Sequence, residues 1–475
     1  MDVPGPTVGL PCGPAQPVAA PFPGAFPAAC IDGKKKSRAR LFGRLHCNMR
    51  PDRAGCPGVA FLQRSRMGLP PPRPSCFHAR LGISEETGVR VRNGLRLSMA
   101  AGLAVCSAVG CAERPGATAS HAHVGGTWTF AVSGDSRNCG NIVMPAIAAD
   151  AKRHSAAFYW HLGDLRAIYK ADEDFLAEQH LKKMQPSIND YLFSAWSDFR
   201  QHQIAPFGTT PFYIGIGNHE TIAPKTRTQF QIEFQPELDR PELRAQRQHD
   251  LAASPPIGDA IARTYYHWVQ HGVDFINLDN ASNDAFDARQ LVWFDRVIDA
   301  DENDAAIATV VVGMHESLPY SVSSSHSMCD SVGGRESGVR VYEKLLDAQR
   351  RGKRVYLLAS HSHYFLSNIY DTPHWRDAGK VLPGWVVGTG GAERYLLPEG
   401  IEQGAQAREH TYGYLLGEVN PHGEIAFTFH ELDEAALQAT RTADYMPEIV
   451  TWCVEKNARE KRGVQPPSCE RAGEP

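Results

Sequence analysis

From Thr127 onward, short β-rich apolar runs recur along the chain, and each stops abruptly in polar residues. They are residues 128–135 (WTFAVSGD), 158–164 (FYWHLGD), 211–220 (PFYIGIGNHE), 307–316 (IATVVVGMHE), 354–363 (RVYLLASHSH) and 384–391 (GWVVGTGG). Between them, 141–153, 173–202, 284–300 and 337–351 carry apolar positions at helical spacing. Strands alternating with helices predict an α/β layered fold. Two further strands, 413–419 and 424–430, flank Asn420-Pro421-His422-Gly423, a turn composition that predicts a hairpin. Residues 221–262, charged and rich in Gln, Arg and Pro, break the alternation and read as an insertion, a cap over the strand ends. Residues 436–475 read as a C-terminal tail.

The amino-terminal stretch behaves differently. Residues 1–88 are proline-dense and keep neither period, which predicts a disordered leader or one added by a misplaced start, with translation beginning at Met67, Val89 or Val91. Residues 90–96 (RVRNGLR) are basic, 97–110 (LSMAAGLAVCSAVG) uncharged, and Cys111 follows. That order is a signal peptide over 89–111, and its apolar run is too short to span a bilayer. Ala108-Val109-Gly110-Cys111 resembles a lipobox without its leading Leu. The expected product is exported, periplasmic or lipid-anchored if the host is bacterial, with a linker over 112–126. Of the 11 cysteines, only Cys139, Cys329, Cys453 and Cys469 lie beyond Cys111. No CxxC pair is among them, and in an oxidising compartment they can form two disulfides whose pairing the spacing leaves open.

Charge narrows the partners. Residues 1–98 hold 15 basic and 5 acidic groups, which leaves 34 basic against 48 acidic from Met99 on. So acidic a body is a poor fit to a nucleic-acid polymer. A small phosphorylated substrate remains compatible where metal ions supply positive charge locally, and a membrane would be met only through the lipid anchor.

The strand ends carry Asp135, Asp164, Asn218, His219, His315, His361 and His363. Ligands of open α/β sheets gather beyond the carboxyl ends of strands, and Asp, Asn and His together suit Mn, Fe or Zn. Alone, a strand-end Asp is more often a helix N-cap and a single His a satisfied core residue. His154, His180, His271 and His326 fall outside the pattern and read as structural or solvated.

GD (134–135), GDLR (163–166), GNHE (217–220), GMHE (313–316) and SHSH (360–363) resemble, in order, the five motifs of the calcineurin-like metallophosphoesterases, a superfamily that includes the purple acid phosphatases. QLVWFDRVID (290–299) and GTGG (388–391) also resemble it. The resemblance covers about residues 127–430 of a domain placed at 127–435. It implies a four-layer α/β/β/α sandwich of two mixed β-sheets flanked by helices, and a centre of two divalent or trivalent ions. By similarity Asp135 and His363 bind the first ion, Asp164 bridges the pair, and Asn218, His315 and His361 hold the second. His219 lies beside the phosphate. The implied activity is phosphoric-ester hydrolysis by a metal-bound hydroxide, by a phosphatase. The alternatives are a phosphodiesterase or nucleotidase on the same core, or a non-catalytic binding lipoprotein.

Two positions depart from the pattern. Many members have Asp-x-His in the first motif, where this chain has Asp135-Ser136-Arg137. Purple acid phosphatases lack that His too, but carry a Tyr three residues after the bridging Asp. Here that position is Ala167, and the nearest tyrosine is Tyr169. The first ion is left short of a ligand, to be weakly held or completed by water. Arg137 cannot ligate a metal, but its fork suits a phosphate. The plainer reading makes Arg137 and Arg166 salt-bridge partners of the acidic ligands.

Overall fold

The structure is a computed structural model that describes residues 126–281, 284–323, 326–461 and 469, within the compact unit Gly110–Pro475. The leader 1–88, the signal peptide 89–111 and all but the last residue of the linker 112–126 lie outside the described residues.

Among the described residues the strands are β1 (Trp128–Ser133), β2 (Tyr159–His161), β3 (Phe212–Ile214), β4 (Tyr266–Gln270), β5 (Val273–Asn277), β6 (Thr309–Gly313), β7 (Arg354–Ala359), β8 (Phe365–Ser367), β9 (Gly384–Val387), β10 (Ala407–Arg408), β11 (Gly413–Val419) and β12 (Ile425–Glu431). They form two mixed sheets, ordered β12-β11-β1-β2-β3 and β10-β8-β9-β7-β6-β5-β4. In the first, β1, β2 and β3 run parallel and the β11–β12 hairpin pairs antiparallel at the edge. In the second, β5, β6, β7 and β9 form a parallel centre with antiparallel margins. The hairpin turns where expected, with the Asn420 side-chain oxygen accepting from the backbone of His422 and Glu424 at 2.9 and 3.0 Å.

The sheets pack face to face through an aromatic layer. Phe130 stacks on Phe158 at 5.2 Å, and Phe275 stands edge-on to them at 5.1 and 5.0 Å. Alternate residues of β6 and β7 face outward from the second sheet. Val310, Val312, Val355 and Leu357 meet Phe294, Val297, Val341 and Leu345 of the helices Ala288–Asn303 and Val332–Arg350. Helix Gly140–Arg153 covers the outer side of the first sheet. Strands buried on both faces need apolar residues at every position, which explains an unbroken run such as TVVVG in β6. Each fully buried Val, Leu or Phe contributes about 1.5–3 kcal/mol.

Three expectations change. The insertion 221–262 forms helices Arg227–Glu233, Gln235–Leu238 and Pro241–Ala252; their Phe230, Leu238 and Leu243, and Phe234 between the first two, are buried in the same core as Trp196 and Phe199. Apolar side chains on their inner faces draw these helices into the core rather than over the strand ends. The segment from residue 436 is not a tail. Leu437, Tyr445, Ile449, Val450 and Cys453 pack into the core, and disulfides join Cys139 to Cys453 and Cys329 to Cys469. The helical stretch 173–202 is interrupted after Leu181, and a second helix starts at Ser187, which caps Asp190 N and receives the Asp190 side chain in return.

Candidate metal centre

The six residues predicted as ligands converge where the carboxyl ends of β1, β2, β3, β6 and β7 meet. Backbone bonds lace neighbouring loops within each sheet: Asp135 N donates to Gly163 O at 2.9 Å, Ser136 N to Asp164 O at 3.0 Å, and Ser360 N to His315 O at 2.9 Å, while Gly134 N donates across the sheets to Val387 O at 3.1 Å. GTGG completes the floor, with Gly390 N donating to Gly134 O at 2.9 Å. A Cβ on Gly388 would lie 2.8 Å from Asp135 Oδ2, so only glycine admits that carboxylate. Asp135, Asp164 and His361 hold φ of 59°, 60° and 65°. Side chains other than Gly rarely adopt this left-handed conformation, and it costs about 1–3 kcal/mol at each position. Three such residues at one strand edge mark a place where geometry outweighs local stability.

Around Asp164 the donor atoms crowd together. His315 Nε2 lies 3.3 Å from Asp164 Oδ1, 3.0 Å from Asn218 Oδ1 and 2.8 Å from His361 Nδ1. His315 Nδ1 faces Leu162 O at 3.1 Å, a carbonyl that can only accept, so a proton stays on Nδ1 and a bound cation would displace the one on Nε2. The fully buried Asp164 Oδ2 has no hydrogen-bond partner. Two imidazole nitrogens, a carboxylate and an amide oxygen repel one another unless positive charge lies between them. Burial opposes charge on His315, yet Asp164 pushes its pKa up to about 10. Burial would also raise the Asp164 carboxyl, but His219 and His315 hold it well below the usual range. The donor set therefore fits a cation: Asp164, His315 and His361 can each present an atom within 4.8 Å of the others, in the oxygen–nitrogen mixture that suits Mn, Fe or Zn.

Asp135 and His363 lie on the other side. His363 Nε2 is 3.1 Å from Asp135 Oδ1, and Nδ1 meets Glu393 O at 2.6 Å. Asp135 Oδ2 accepts from His361 N at 2.7 Å, tying the two halves together. Arg137 enters this half directly. Its Nη2 is 2.9 Å from His363 Nε2, Nη1 contacts His219 Nε2, and Nε is 3.8 Å from Asp164 Oδ2. His219 Nδ1 meets Ala167 O at 2.7 Å, which leaves Nε2 as the acceptor of the Arg137 contact.

Arg166 is structural. It is fully buried and pairs with Asp174 at 2.8 Å, Asp172 at 3.6 Å and Asp198, none of them a predicted ligand. Tyr169 is 59% exposed and packs on the His219 ring at 5.4 Å.

A pocket of about 280 Å³ opens over the centre. Arg137, His219, His361 and His363 line it together with Lys170, His326, Tyr395 and Arg459, and no residue of 221–262 does. Arg459 stacks over Tyr395 at 3.7 Å and pairs with Glu393 at 2.8 Å. His326, read from the sequence as structural or solvated, packs on His361 at 4.8 Å, where burial, then His363, lower its pKa to about 4. Glu220 also matters: its carboxylate accepts from the backbone of Asp164, Leu165 and Gly217 at 2.9, 2.9 and 2.8 Å. The last residue of GNHE could have been assigned this role from sequence. His326, Tyr395 and Arg459 sit in loops with no motif.

No protein-family model matches the chain, and no curated protein is similar to it in sequence. Solved structures similar to it include a purple acid phosphatase from yellow lupin (Lupinus luteus), with TM-score 0.41 and 14% identity over 68% of this chain. The chain spans 57% of that phosphatase. A dimetal phosphatase from Danio rerio matches with TM-score 0.36 and 11% identity over 64% of this chain and 98% of its own. GAP50, the anchor in the inner membrane complex of Plasmodium, matches with TM-score 0.36 and 12% identity over 72% of this chain and 100% of its own. The chain folds as the two-sheet α/β sandwich that its motifs implied, and in those motifs it resembles the calcineurin-like metallophosphoesterases.

Proposed function

We propose that this protein is a metal-dependent hydrolase of phosphoric esters, acting on a small phosphorylated substrate. The observation that carries the reading is the convergence of Asp164 Oδ1, Asn218 Oδ1 and His361 Nδ1 within 3.3 Å of His315 Nε2. These four residues would hold the ion. A bound ion would supply an acidified water and positive charge for the phosphoryl oxygens. Glu220 fixes the Asp164 and Asn218 loops, while Leu162 O and Glu393 O set the tautomers of His315 and His363. Arg137, with Lys170 and Arg459 at the rim, offers a cationic wall to the phosphoryl group, where charge develops in the transition state. His219 steadies the guanidinium through Nε2, and donating a proton to the leaving oxygen would require breaking that contact.

Monoester hydrolysis is favoured over diester hydrolysis because Arg137 and Lys170 add to the charge of the ion facing a dianionic phosphate, Arg459 being paired with Glu393. Export is part of the proposal, supported by the basic and apolar order at 90–111 and by two disulfides, which persist in oxidising compartments. The test is turnover of the purified protein against a panel of phosphomonoesters, phosphodiesters and nucleotides. Monoester hydrolysis is the expected outcome, diester preference would shift the substrate class, and no turnover on any member would overturn the reading.

A further inference from the structure

Resting on this metal-dependent reading, we propose that the centre holds a single metal ion and that the Arg137 guanidinium occupies the place of the first ion expected from the motifs. Arg137 stands at the position where the Asp-x-His pattern would put a ligand. A guanidinium cannot coordinate a metal, but it is permanently charged.

Three contacts locate that charge. Nη2 reaches His363 Nε2 at 2.9 Å, Nη1 contacts His219 Nε2, and Nε faces Asp164 Oδ2 at 3.8 Å. His363 and Asp164 are two of the three residues that the first ion would have used. The Asp164 carboxylate is thereby divided, with Oδ1 turned to His315 and Oδ2 to Arg137.

Electrostatics point the same way. His363 donates its Nδ1 proton to Glu393 O, so Nε2 is a lone pair 3.1 Å from Asp135 Oδ1. Two acceptors that close require a cation, and the guanidinium supplies it. An ion on His363 would sit about 2.0–2.1 Å from Nε2, in the gap that an Arg137 nitrogen fills at 2.9 Å. The tyrosine that would replace the missing ligand is absent from residue 167, which is Ala; the Tyr169 side chain is largely exposed, and Tyr395, which packs on His363, has its hydroxyl engaged by Arg459 at 2.7 Å.

The loop cannot easily carry the arginine away. Asn138 N donates to Asp172 Oδ1 at 2.6 Å, Cys139 N to Gly391 O at 3.1 Å, and Cys139 is bonded to Cys453. The Arg137 side chain is 11% exposed. The charge is built into the site rather than borrowed from a flexible surface residue.

The test is elemental analysis of the full chain after loading with excess Mn(II) and removal of free metal. The wild type should retain about one ion per chain, and Arg137→His, which restores an imidazole donor, about two. Asp135→Asn should leave the count unchanged, whereas His315→Ala should lower it toward zero. Electron paramagnetic resonance should give an isolated Mn(II) signal in the wild type and a spin-coupled pair in Arg137→His. Two ions per wild-type chain, with one lost in Asp135→Asn, would overturn the proposal and leave the hydrolase reading intact. No retained ion in the wild type would overturn both. If Arg137→His fails to fold, the counts for wild type and Asp135→Asn decide the matter.

Discussion

Replacing Glu220 by glutamine changes one atom in a buried clamp. The carboxylate accepts three backbone N–H groups, with Oε2 serving Asp164 and Gly217 and Oε1 serving Leu165, all at 2.8–2.9 Å. The best rotamer of the amide keeps its oxygen toward Asp164 and Gly217. Its NH₂ then faces Leu165 N, so two donors point at each other with no water to separate them. One charge-assisted bond is lost, worth about 1.5–3 kcal/mol, and a buried donor is orphaned at a similar penalty. The two effects describe the same contact, so they overlap rather than add, and Glu220→Gln should destabilise the fold by about 1.5–3 kcal/mol. The clamp also sets the loops that carry Asp164 and Asn218. Losing such outer support typically weakens metal binding by about 10–100-fold. Urea unfolding measures the first quantity and competition against a chelator the second. Stability within about 0.5 kcal/mol of wild type, a shift typical of a neutral surface change, together with unchanged metal affinity, would refute the reasoning.

Two further predictions concern the scaffold. Buried His267 lies between Asp274 at 2.7 Å and Asp250 at 2.9 Å. Although burial disfavours its charge, Asp274 and then Asp250 hold it well above its ordinary 6.5. A raised folded pKa gives stability that is complete below the unfolded pKa and is lost as pH rises toward the folded one. Stability should therefore decline above about pH 6.5. His267→Leu should cost about 3–5 kcal/mol at neutral pH by orphaning two carboxylates, and should flatten that decline in denaturant melts across pH. A flat wild-type profile would rule this out. Cys453→Ser removes the bond that pins the Arg137 loop to the helix Pro447–Glu455, and should lower stability by about 2–5 kcal/mol. Unchanged unfolding of the oxidised variant would show that the staple contributes nothing.

The sequence reveals the site better than its surroundings because a strand-end ligand carries two signals at once. Asp135, Asp164, Asn218, His315, His361 and His363 each follow an apolar run, so period and chemistry agree at each of them. The antiparallel pair β4–β5 shows no such run, because its inner positions include the ion pair His267–Asp274, polar residues buried on a strand. The insertion misled for a related reason. Its composition is that of a surface, while Phe230, Phe234, Leu238 and Leu243, spread over three short helices and the joint between two of them, are enough to anchor it in the core. The partners of Arg137 were hidden because His219, His363 and Asp164 come from three different loops, whose meeting depends on the cross-sheet backbone bonds.

Metal dependence of phosphomonoester hydrolysis tests the central claim most directly. Protein stripped with a chelator, dialysed and assayed on a chromogenic phosphomonoester should lose turnover, and should regain it on addition of Mn, Fe or Zn. Asp164→Asn, folded as the wild type by circular dichroism, should stay inactive at every metal concentration. Turnover that survives complete metal removal, or an Asp164→Asn variant that hydrolyses the ester at the wild-type rate, would contradict the account.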